Sequence, residues 1–390
     1  MQIPEDVKKQ ERLESDHFYA TIDQYIRLFG IEHMHRRGVF YGTGLARAGI
    51  NSGTDWSELH RVLDEIRCFG DWYPAFSASA DRFARLAAEA ESKERFVTAG
   101  EHYLRASLLY SFAILYLREE DPNRSLGLPK KLAYYRKGCR YFNPPAEPVQ
   151  IRHREISIPA YFRHPGRAGR VPCIIMIDGA NSTKEEFHGW SNEFLKRGVA
   201  SVTFDGPGQG EMAVKHGGPK MELRKYHELV GTIIDYLQAR PEVDPGRIGL
   251  FGQSCGGWLG AWTAAHEPRV KCLVSMGGFY DFREFPRIPL SVQEEVTALF
   301  GLSTISEGLA YMRENFRLQG FAAKIKCPTL ILHGARDNLN STQELRELAD
   351  EIGPHAEMVV WEDGVHGAMN RNLEAAPLMA DWVSEQLKQS

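Results

Sequence analysis

Apolar residues recur with a helical period through the first 145 residues of the chain. Between residues 56 and 76 they are spaced by three or four positions, which places them on one helix face: Leu59, Val62, Leu63, Ile66 and Phe69. Similar patterns return in residues 82–90, 96–117 and 129–142. We therefore predict an all-helical N-terminal domain over residues 1–145.

A Pro-rich stretch at residues 143–148 separates this pattern from a different one. Residues 149–162 alternate between apolar and polar in the manner of edge strands. Six short apolar runs then follow, most of them separated by helical stretches, at residues 171–177, 199–204, 247–251, 270–276, 328–334 and 356–362. This order predicts an α/β domain over residues 146–390, with a mostly parallel sheet flanked by helices and a helical insertion at about 282–325.

Composition and charge narrow the class of protein. The 390 residues are 43% hydrophobic, which is enough for a large core, and 47 basic against 51 acidic residues give a net charge of −4. The chain lacks the excess of basic residues that would favour nucleic acid or a membrane surface as a partner. The N-terminus is polar, and six cysteines lack paired spacing, so we expect free thiols, a cytoplasmic location and neither metal nor cofactor. The oligomeric state stays open, a homodimer included.

Residues 252–256 carry the motif G-x-S-x-G between the predicted strand 247–251 and a predicted helix that begins near Gly257. This is the context of a nucleophile elbow, whose flanking positions two residues away must be small. Around Ser254 both of these positions are glycine, whereas the upstream position for the neighbouring Cys255 is the bulky Gln253. We therefore predict that Ser254, and not Cys255, is the nucleophile.

A serine nucleophile needs a histidine base and an acid that orients the base. In this kind of fold the acid and the histidine follow later strands in the chain order Ser, acid, His. Asp337 follows the strand 328–334 and His366 follows the strand 356–362. Asp363 is a rival acid, but it lies only three residues before His366 in the same loop, where an aspartate more often shapes the turn.

An oxyanion hole for this serine requires two backbone N–H groups. The residue after the nucleophile, Cys255, supplies one, and the turn after strand 171–177 supplies the other at Ala180, with Asn181 as the alternative.

Ser182 and Glu185 have the spacing of a capping box, which predicts a helix start and leaves Lys184 as a weaker candidate for substrate contact. Residues 204–211 lack a complete phosphate-loop motif, so we predict a tight turn there.

Several stretches together resemble a known family: STKEEF, FDGPGQGEM, the elbow followed by a second glycine, SMGGFYDF and CPTLILHGARD. They are similar to the α/β-hydrolases that include 2,6-dihydroxypseudooxynicotine hydrolase, fungal polyketide-shortening hydrolases and the fermentation–respiration switch proteins. The resemblance extends into the helical half and implies that this half is a lid over the pocket. For some members it also implies hydrolysis of a carbon–carbon bond beside a ketone. Ser254, Asp337 and His366 match the family's triad positions, whereas Asp178 departs from the Gly or His of many relatives.

We therefore predict a cofactor-independent serine hydrolase that cleaves a small aromatic or polyketide-like ketone through an acyl-enzyme. An esterase, thioesterase or acyltransferase with the same triad remains an alternative, and a non-catalytic regulatory protein of the same fold is a remote one. Substrate contacts are predicted at Asn181, Lys184, Tyr280 and Glu284. Glu284 stands among aromatic residues, so it is either a surface glutamate or a group that hydrogen-bonds a phenolic or enolic hydroxyl.

Overall fold

The computed structural model describes residues 4–31, 56–118, 121–213 and 217–389. The chain divides into two compact units. The first comprises Met1–Glu147 with the short segment Pro289–Glu295, and the second comprises Pro148–Ile288 with Val296–Ser390. The expectation that the first unit covers the active site stays a prediction.

The described part of the first unit is helical. Its helices are α1 (Glu5–Phe29), α2 (Trp56–Leu63), α3 (Trp72–Ser92), α4 (Phe96–Leu115) and α5 (Pro122–Gly138). The aromatic residues of α3 and α4 at helical spacing mostly pack inward, as shown by the buried side chains of Trp72, Phe76, Tyr103 and Tyr110. The buried Trp72 indole donates a hydrogen bond to the Phe112 carbonyl oxygen, 2.8 Å away.

The helical period from residue 56 does not correspond to one continuous helix. α2 ends at Leu63, and a 3₁₀ turn at Phe69–Asp71 precedes α3. The Asp71 carboxylate accepts hydrogen bonds from the backbone N–H groups of Arg67 (2.8 Å) and Cys68 (3.0 Å). This local competition for backbone donors favours a turn over a helix, although Ile66 is buried as its periodic position predicts.

The second unit contains an eight-stranded sheet. Its strands are β1 (Glu147–His153), β2 (Ile156–Arg163), β3 (Val171–Ile177), β4 (Ala200–Phe204), β5 (Val243–Gln253), β6 (Leu273–Met276), β7 (Thr329–Gly334) and β8 (Ala356–Trp361). The spatial order is β1-β2-β4-β3-β5-β6-β7-β8. β2 runs antiparallel to β4, and the pairings from β4 through β8 are parallel. The predicted α/β class with a mostly parallel sheet is confirmed.

Helices connect these strands, as a parallel sheet requires. They are α6 (His188–Lys196), α7 (Tyr226–Gln238), α8 (Cys255–Ala264) and α11 (Thr342–Ile352), and a further helix, α12 (Asn372–Gln389), follows the last strand. Between β6 and β7 the chain forms α9 (Leu290–Leu299) and α10 (Ile305–Asn315). Within the ranges that the structure describes, no helix is both long enough and apolar enough to cross a bilayer.

The strand register determines which loops can meet. Ile177 at the end of β3 pairs with Gly252 near the end of β5, and Gln253 pairs with Met276 at the end of β6. Because the carboxyl ends of parallel strands lie at one edge of the sheet, the loops after β3, β5, β6, β7 and β8 emerge together. All predicted catalytic residues lie in these loops or directly beside them.

Candidate active site

The turn between β5 and α8 holds Ser254 in a strained backbone conformation. Its φ is 57° and its ψ is −122°, values that a non-glycine residue rarely adopts and that cost about 1–3 kcal/mol. The Ser254 N–H donates to the Met276 carbonyl oxygen at 2.8 Å, and the Gly257 N–H donates to the Ser254 carbonyl oxygen at 2.8 Å. These bonds keep the serine at the apex of a sharp strand-to-helix turn.

The two glycines that flank the serine are needed for space. A Cβ atom on Gly252 would lie 2.0 Å from the Gly256 carbonyl oxygen, and one on Gly256 would lie 2.1 Å from the Ile177 carbonyl oxygen. Both contacts involve backbone atoms that cannot turn aside. The structure thus gives the physical reason for the spacing that singled out Ser254.

Ser254, His366 and Asp337 form a continuous hydrogen-bonded chain. His366 Nε2 lies 2.8 Å from Ser254 Oγ, and His366 Nδ1 lies 2.8 Å from Asp337 Oδ2. Asp337 is fully buried, and its other oxygen accepts the Leu339 N–H at 2.8 Å. These contacts orient the imidazole so that Nε2 can take a proton from the serine hydroxyl.

The rival acid Asp363 lies in a different environment. Its carboxylate forms an ion pair with Arg371, and its side chain is 43% exposed. This pairing, together with the burial of Asp337 against His366, assigns Asp363 to the shaping of its own loop.

Cys255 is buried at the start of α8, with 4% of its surface exposed. Burial raises the pKa of its thiol to about 12, which keeps the sulfur protonated near neutral pH. Since the thiolate is the reactive form of cysteine, this environment opposes nucleophilic attack by Cys255.

His333, at the end of β7, is a second buried histidine that the sequence analysis missed. Its Nδ1 lies 3.8 Å from Asp337 Oδ2. Burial lowers the pKa of His333 and favours its neutral form, so it does not add a second positive charge beside the triad acid. The residue could have been noticed from its position four residues before the predicted acid, Asp337.

Two loops lie beside the serine where the oxyanion donors are predicted. Ala180 is half buried in the turn directly after β3, and Cys255 is the first residue of α8. Asn181 is half buried in the same turn as Ala180. The assignment of the Ala180 and Cys255 N–H groups as donors stays a prediction.

Lys184 lies in a buried ion cluster. Its ammonium is 2.7 Å from Asp205, 2.9 Å from Glu185 and 2.6 Å from Glu211, and its side chain is 1% exposed. With three carboxylates around it, the ammonium is engaged in joining the loops after β3 and β4. This placement favours a structural role over the substrate contact predicted for Lys184.

The predicted capping box at residues 182–185 is wrong. The helical segment begins as a 3₁₀ turn at Lys184–Phe187, with Thr183 at its N-cap and no side-chain capping bond. The Glu185 carboxylate instead accepts the Thr183 hydroxyl at 2.7 Å and pairs with Lys184. Glu185 thus pairs with the buried Lys184 ammonium instead of accepting a backbone N–H at the start of the helix.

Asp178, directly after β3, is fully buried, and neither of its carboxylate oxygens has a hydrogen-bond partner among the described residues. Burial raises the pKa of Asp178 well above its usual value, and the nearby carboxylates of Asp205, Glu186 and Glu185 raise it further. These conditions favour a protonated, neutral side chain, which removes the repulsion that an aspartate would exert on a developing oxyanion.

The loop after β6 contains the other predicted substrate contacts. The Tyr280 side chain is 7% exposed, and its hydroxyl donates to Glu351. Glu284 has a 28% exposed side chain that pairs with Arg287 at 3.3 Å, which favours the surface alternative. The predicted contacts at both positions stay untested.

A different glutamate is the buried acid of this loop. Glu344 in α11 is fully buried, and its Oε1 accepts three consecutive backbone N–H groups, those of Tyr280 (2.8 Å), Asp281 (3.2 Å) and Phe282 (3.1 Å). Sequence reasoning missed Glu344 because it lies more than 60 positions from the loop that it holds.

An aromatic cluster adjoins His366. The Phe279 ring lies 6.0 Å from the His366 ring, 4.0 Å from the Phe282 ring and 5.9 Å from the Phe316 ring. Phe316 in turn stacks on Trp258, one helical turn after Ser254, at 4.4 Å. A buried cluster of aromatic side chains thus packs beside His366.

Comparisons with known proteins show the family to which the chain belongs. The family model described as prolyl oligopeptidase family matches residues 185–390. The chain is 30% identical over 341 residues to 2,6-dihydropseudooxynicotine hydrolase from Paenarthrobacter nicotinovorans, covering 87% of this chain and 90% of the relative. It is 28% identical over 321 residues to 20-hydroxy-prefusarin hydrolase from Gibberella moniliformis, covering 70% and 75% of the two chains.

The structure also matches the crystal structure of 2,6-dihydroxy-pseudo-oxynicotine hydrolase, with a TM-score of 0.81 and 29% identity over 88% of this chain and 95% of that one. The protein is therefore an enzyme with the α/β-hydrolase fold. It belongs to the prolyl oligopeptidase family, among the relatives of 2,6-dihydropseudooxynicotine hydrolase.

Replacing the buried triad acid should separate the two candidate acids. We expect Asp337→Asn to slow the reaction of Ser254 with a fluorophosphonate probe by about 10⁴-fold, since an asparagine favours the wrong imidazole tautomer. The matched change Asp363→Asn should stay within about three-fold of the wild type, because the exposed Asp363 carboxylate pairs with Arg371 and not with His366. Labelling rates measured by intact-protein mass spectrometry provide the comparison. Slow labelling of Asp363→Asn together with normal labelling of Asp337→Asn would instead identify Asp363 as the acid.

The raised pKa of Asp178 gives a pH-dependent stability. The folded state binds the Asp178 proton more tightly than the unfolded state, so stability falls as the pH rises above the unfolded pKa of about 4 and continues to fall up to the folded pKa. We expect Asp178→Asn to raise the thermal denaturation midpoint more at pH 8 than at pH 5. The gain in free energy is at most about 1.4 kcal/mol per pH unit.

Asp363→Asn serves as the control for this experiment. Its carboxylate has a pKa lowered by Arg371, so the substitution should give no gain in stability at either pH. A gain in midpoint for Asp178→Asn that is no larger at pH 8 than at pH 5 would contradict a raised pKa of Asp178.

Proposed function

We propose that the protein is a serine hydrolase that works through an acyl-enzyme on Ser254. The observation that carries this proposal is the chain of two 2.8 Å hydrogen bonds from Ser254 through His366 to the buried Asp337. A serine hydroxyl is a weak nucleophile at neutral pH, and this arrangement is what activates it. The strained backbone of Ser254 holds Oγ clear of the helix that follows.

In the first half of the reaction, Ser254 Oγ attacks the substrate carbonyl carbon and His366 Nε2 takes the hydroxyl proton. The carbonyl oxygen becomes an oxyanion, which the N–H groups of Ala180 and Cys255 receive. Asp337 stabilises the imidazolium that forms. A neutral Asp178 leaves this part of the site without an opposing negative charge.

The bond that breaks is proposed to be the carbon–carbon bond next to a ketone. In a β-diketone-like substrate the leaving group is a carbanion stabilised by the second carbonyl, and His366 returns its proton to that carbon. Water, activated by the same histidine, then releases the acyl group as a carboxylic acid and restores Ser254. Overall, one water molecule is consumed for one acid and one ketone released.

Two observations support a ketone with an aromatic or polyketide-like body. The 30% identity to 2,6-dihydropseudooxynicotine hydrolase extends over most of both chains. The cluster of Phe279, Phe282 and Phe316 gives the surroundings of His366 an apolar, aromatic character, which suits such a body better than a charged one.

The two adjacent candidate nucleophiles can be separated by mutation. We expect Ser254→Ala to reduce turnover of an aryl 1,3-diketone by about 10⁴- to 10⁶-fold with little change in folding. Cys255→Ala should keep most of the activity, because only its backbone N–H is used. Steady-state turnover with circular dichroism as the folding control gives the measurement. An inactive Cys255→Ala beside an active Ser254→Ala would contradict the proposal.

The substitution Glu284→Gln tests whether Glu284 contacts the substrate during carbon–carbon cleavage. Because its carboxylate is partly exposed and paired with Arg287, we expect Glu284→Gln to change turnover of the diketone and of nitrophenyl acetate by less than about two-fold. A loss of diketone cleavage alone would instead assign Glu284 a role in binding or tautomerising the enolic substrate.

A further inference from the structure

The turn after β4 contains a buried glutamine that the mechanism above does not use. Gln209 is 2% exposed, and both ends of its side-chain amide are engaged. Its Nε2 donates to the Gly179 carbonyl oxygen at 2.7 Å and to the Asp178 carbonyl oxygen at 3.2 Å. Its Oε1 accepts the Gly206 N–H at 3.2 Å. The amide is thereby fixed in one orientation, with its donor side towards the loop after β3.

The carbonyl oxygen of Gly179 and the N–H of Ala180 belong to the same peptide unit. In a planar trans peptide these two groups point in opposite directions, so fixing one fixes the other. The 2.7 Å bond from Gln209 to the Gly179 oxygen therefore sets the direction of the Ala180 N–H.

The space around the Cα atom of Gly179 is also filled by a neighbouring side chain. A Cβ atom at this position would lie 2.7 Å from Gln253 Oε1, and Gln253 is the residue directly before the nucleophile. Rotating the peptide that carries the Ala180 N–H would therefore break the buried hydrogen bond from Gln209 to the Gly179 oxygen.

The turn that carries Gln209 is itself held rigidly against the loop after β3. Asp205 Oδ1 accepts the Lys184 N–H at 2.9 Å, and Asp205 Oδ2 accepts the Glu211 N–H at 3.0 Å and the Lys184 ammonium at 2.7 Å. A Cβ on Gly210 would overlap the Asp205 carboxylate, at 2.2 Å. The ion cluster around Lys184 therefore stabilises the turn that contains Gln209.

We infer that Gln209 is a positioning residue that aims the Ala180 N–H at the oxyanion. The inference rests on the proposed function, since it requires an oxyanion on a substrate attacked by Ser254. It gives the FDGPGQG stretch a role in transition-state stabilisation, where sequence analysis predicts only a tight turn. Gln209 itself touches neither the substrate nor the triad, so it acts only through the peptide that it holds.

The first test replaces the amide by a side chain of similar length without a donor. We expect Gln209→Met to lower kcat for nitrophenyl acetate by about 10- to 100-fold with KM within about three-fold, since a lost oxyanion donor costs about 10²- to 10³-fold and a misdirected one less. Inhibition by an aryl boronic acid, whose adduct on Ser254 is tetrahedral and anionic, should weaken by a similar factor.

Gln238→Met is the matched control. Gln238 Nε2 also donates to a backbone carbonyl oxygen, that of Pro245 at 2.9 Å, near the start of β5 and so at the end of that strand away from Ser254. Its loss should leave kcat and boronate inhibition within about two-fold of the wild type. Ser254→Ala on the same substrate tests the proposed function separately. If Ser254→Ala is inactive while Gln209→Met turns over normally, the inference alone is overturned.

A second variant decides the question even if Gln209→Met folds poorly. In Gln209→Glu, an ionised carboxylate would repel the two carbonyl oxygens, whereas a protonated one can again donate to the Gly179 oxygen. The activity of this variant relative to the wild type should therefore rise as the pH falls from 8 to 5.5. The ionisable groups near this position, Asp178, Asp205 and Tyr226, are common to both proteins, so their own titration largely cancels in the ratio. A ratio that stays well below one at every pH in this range would overturn the inference.

Discussion

The backbone of Ser254, with φ at 57° and ψ at −122°, is the constraint on which the site depends. A serine does not adopt this conformation by preference, so the surrounding chain must impose it. Here the end of β6 accepts the Ser254 N–H, and Gly252 and Gly256 let the turn close against the end of β3. This conformation places Ser254 Oγ 2.8 Å from His366 Nε2.

Polar side chains buried behind the loops maintain this geometry. Asp337 holds the histidine, Gln209 holds the peptide before Ala180, and Glu344 holds the loop that presents Phe279. Each engages the backbone or a charged partner, as buried polar groups must if they are to be tolerated. Asp178 is different, because its carboxylate oxygens have no hydrogen-bond partner in the described chain and its pKa is raised. Neutralisation, rather than pairing, lets that carboxyl remain inside.

The features that could be predicted from the sequence are those that are encoded locally. The glycines around Ser254 and the apolar runs of the strands indicated the elbow and the parallel sheet, and the chain order of the strands indicated Asp337 and His366. The missed features depend on contacts between distant positions. Glu185 matched a local capping pattern but pairs with Lys184 inside a cluster completed by the loop after β4. Glu284 stood among aromatic residues in the sequence, yet the acid buried beneath that loop is Glu344. Such pairings cannot be inferred from spacing alone.

The central claim is that Ser254 forms a covalent acyl intermediate. The most direct measurement is rapid quenching of the enzyme during turnover of an aryl 1,3-diketone, followed by intact-mass and peptide mass spectrometry. The account predicts a transient mass increase equal to the acyl group, localised to the peptide that contains Ser254 and absent from Ser254→Ala. An adduct on Cys255, or turnover at full rate in Ser254→Ala, would contradict it.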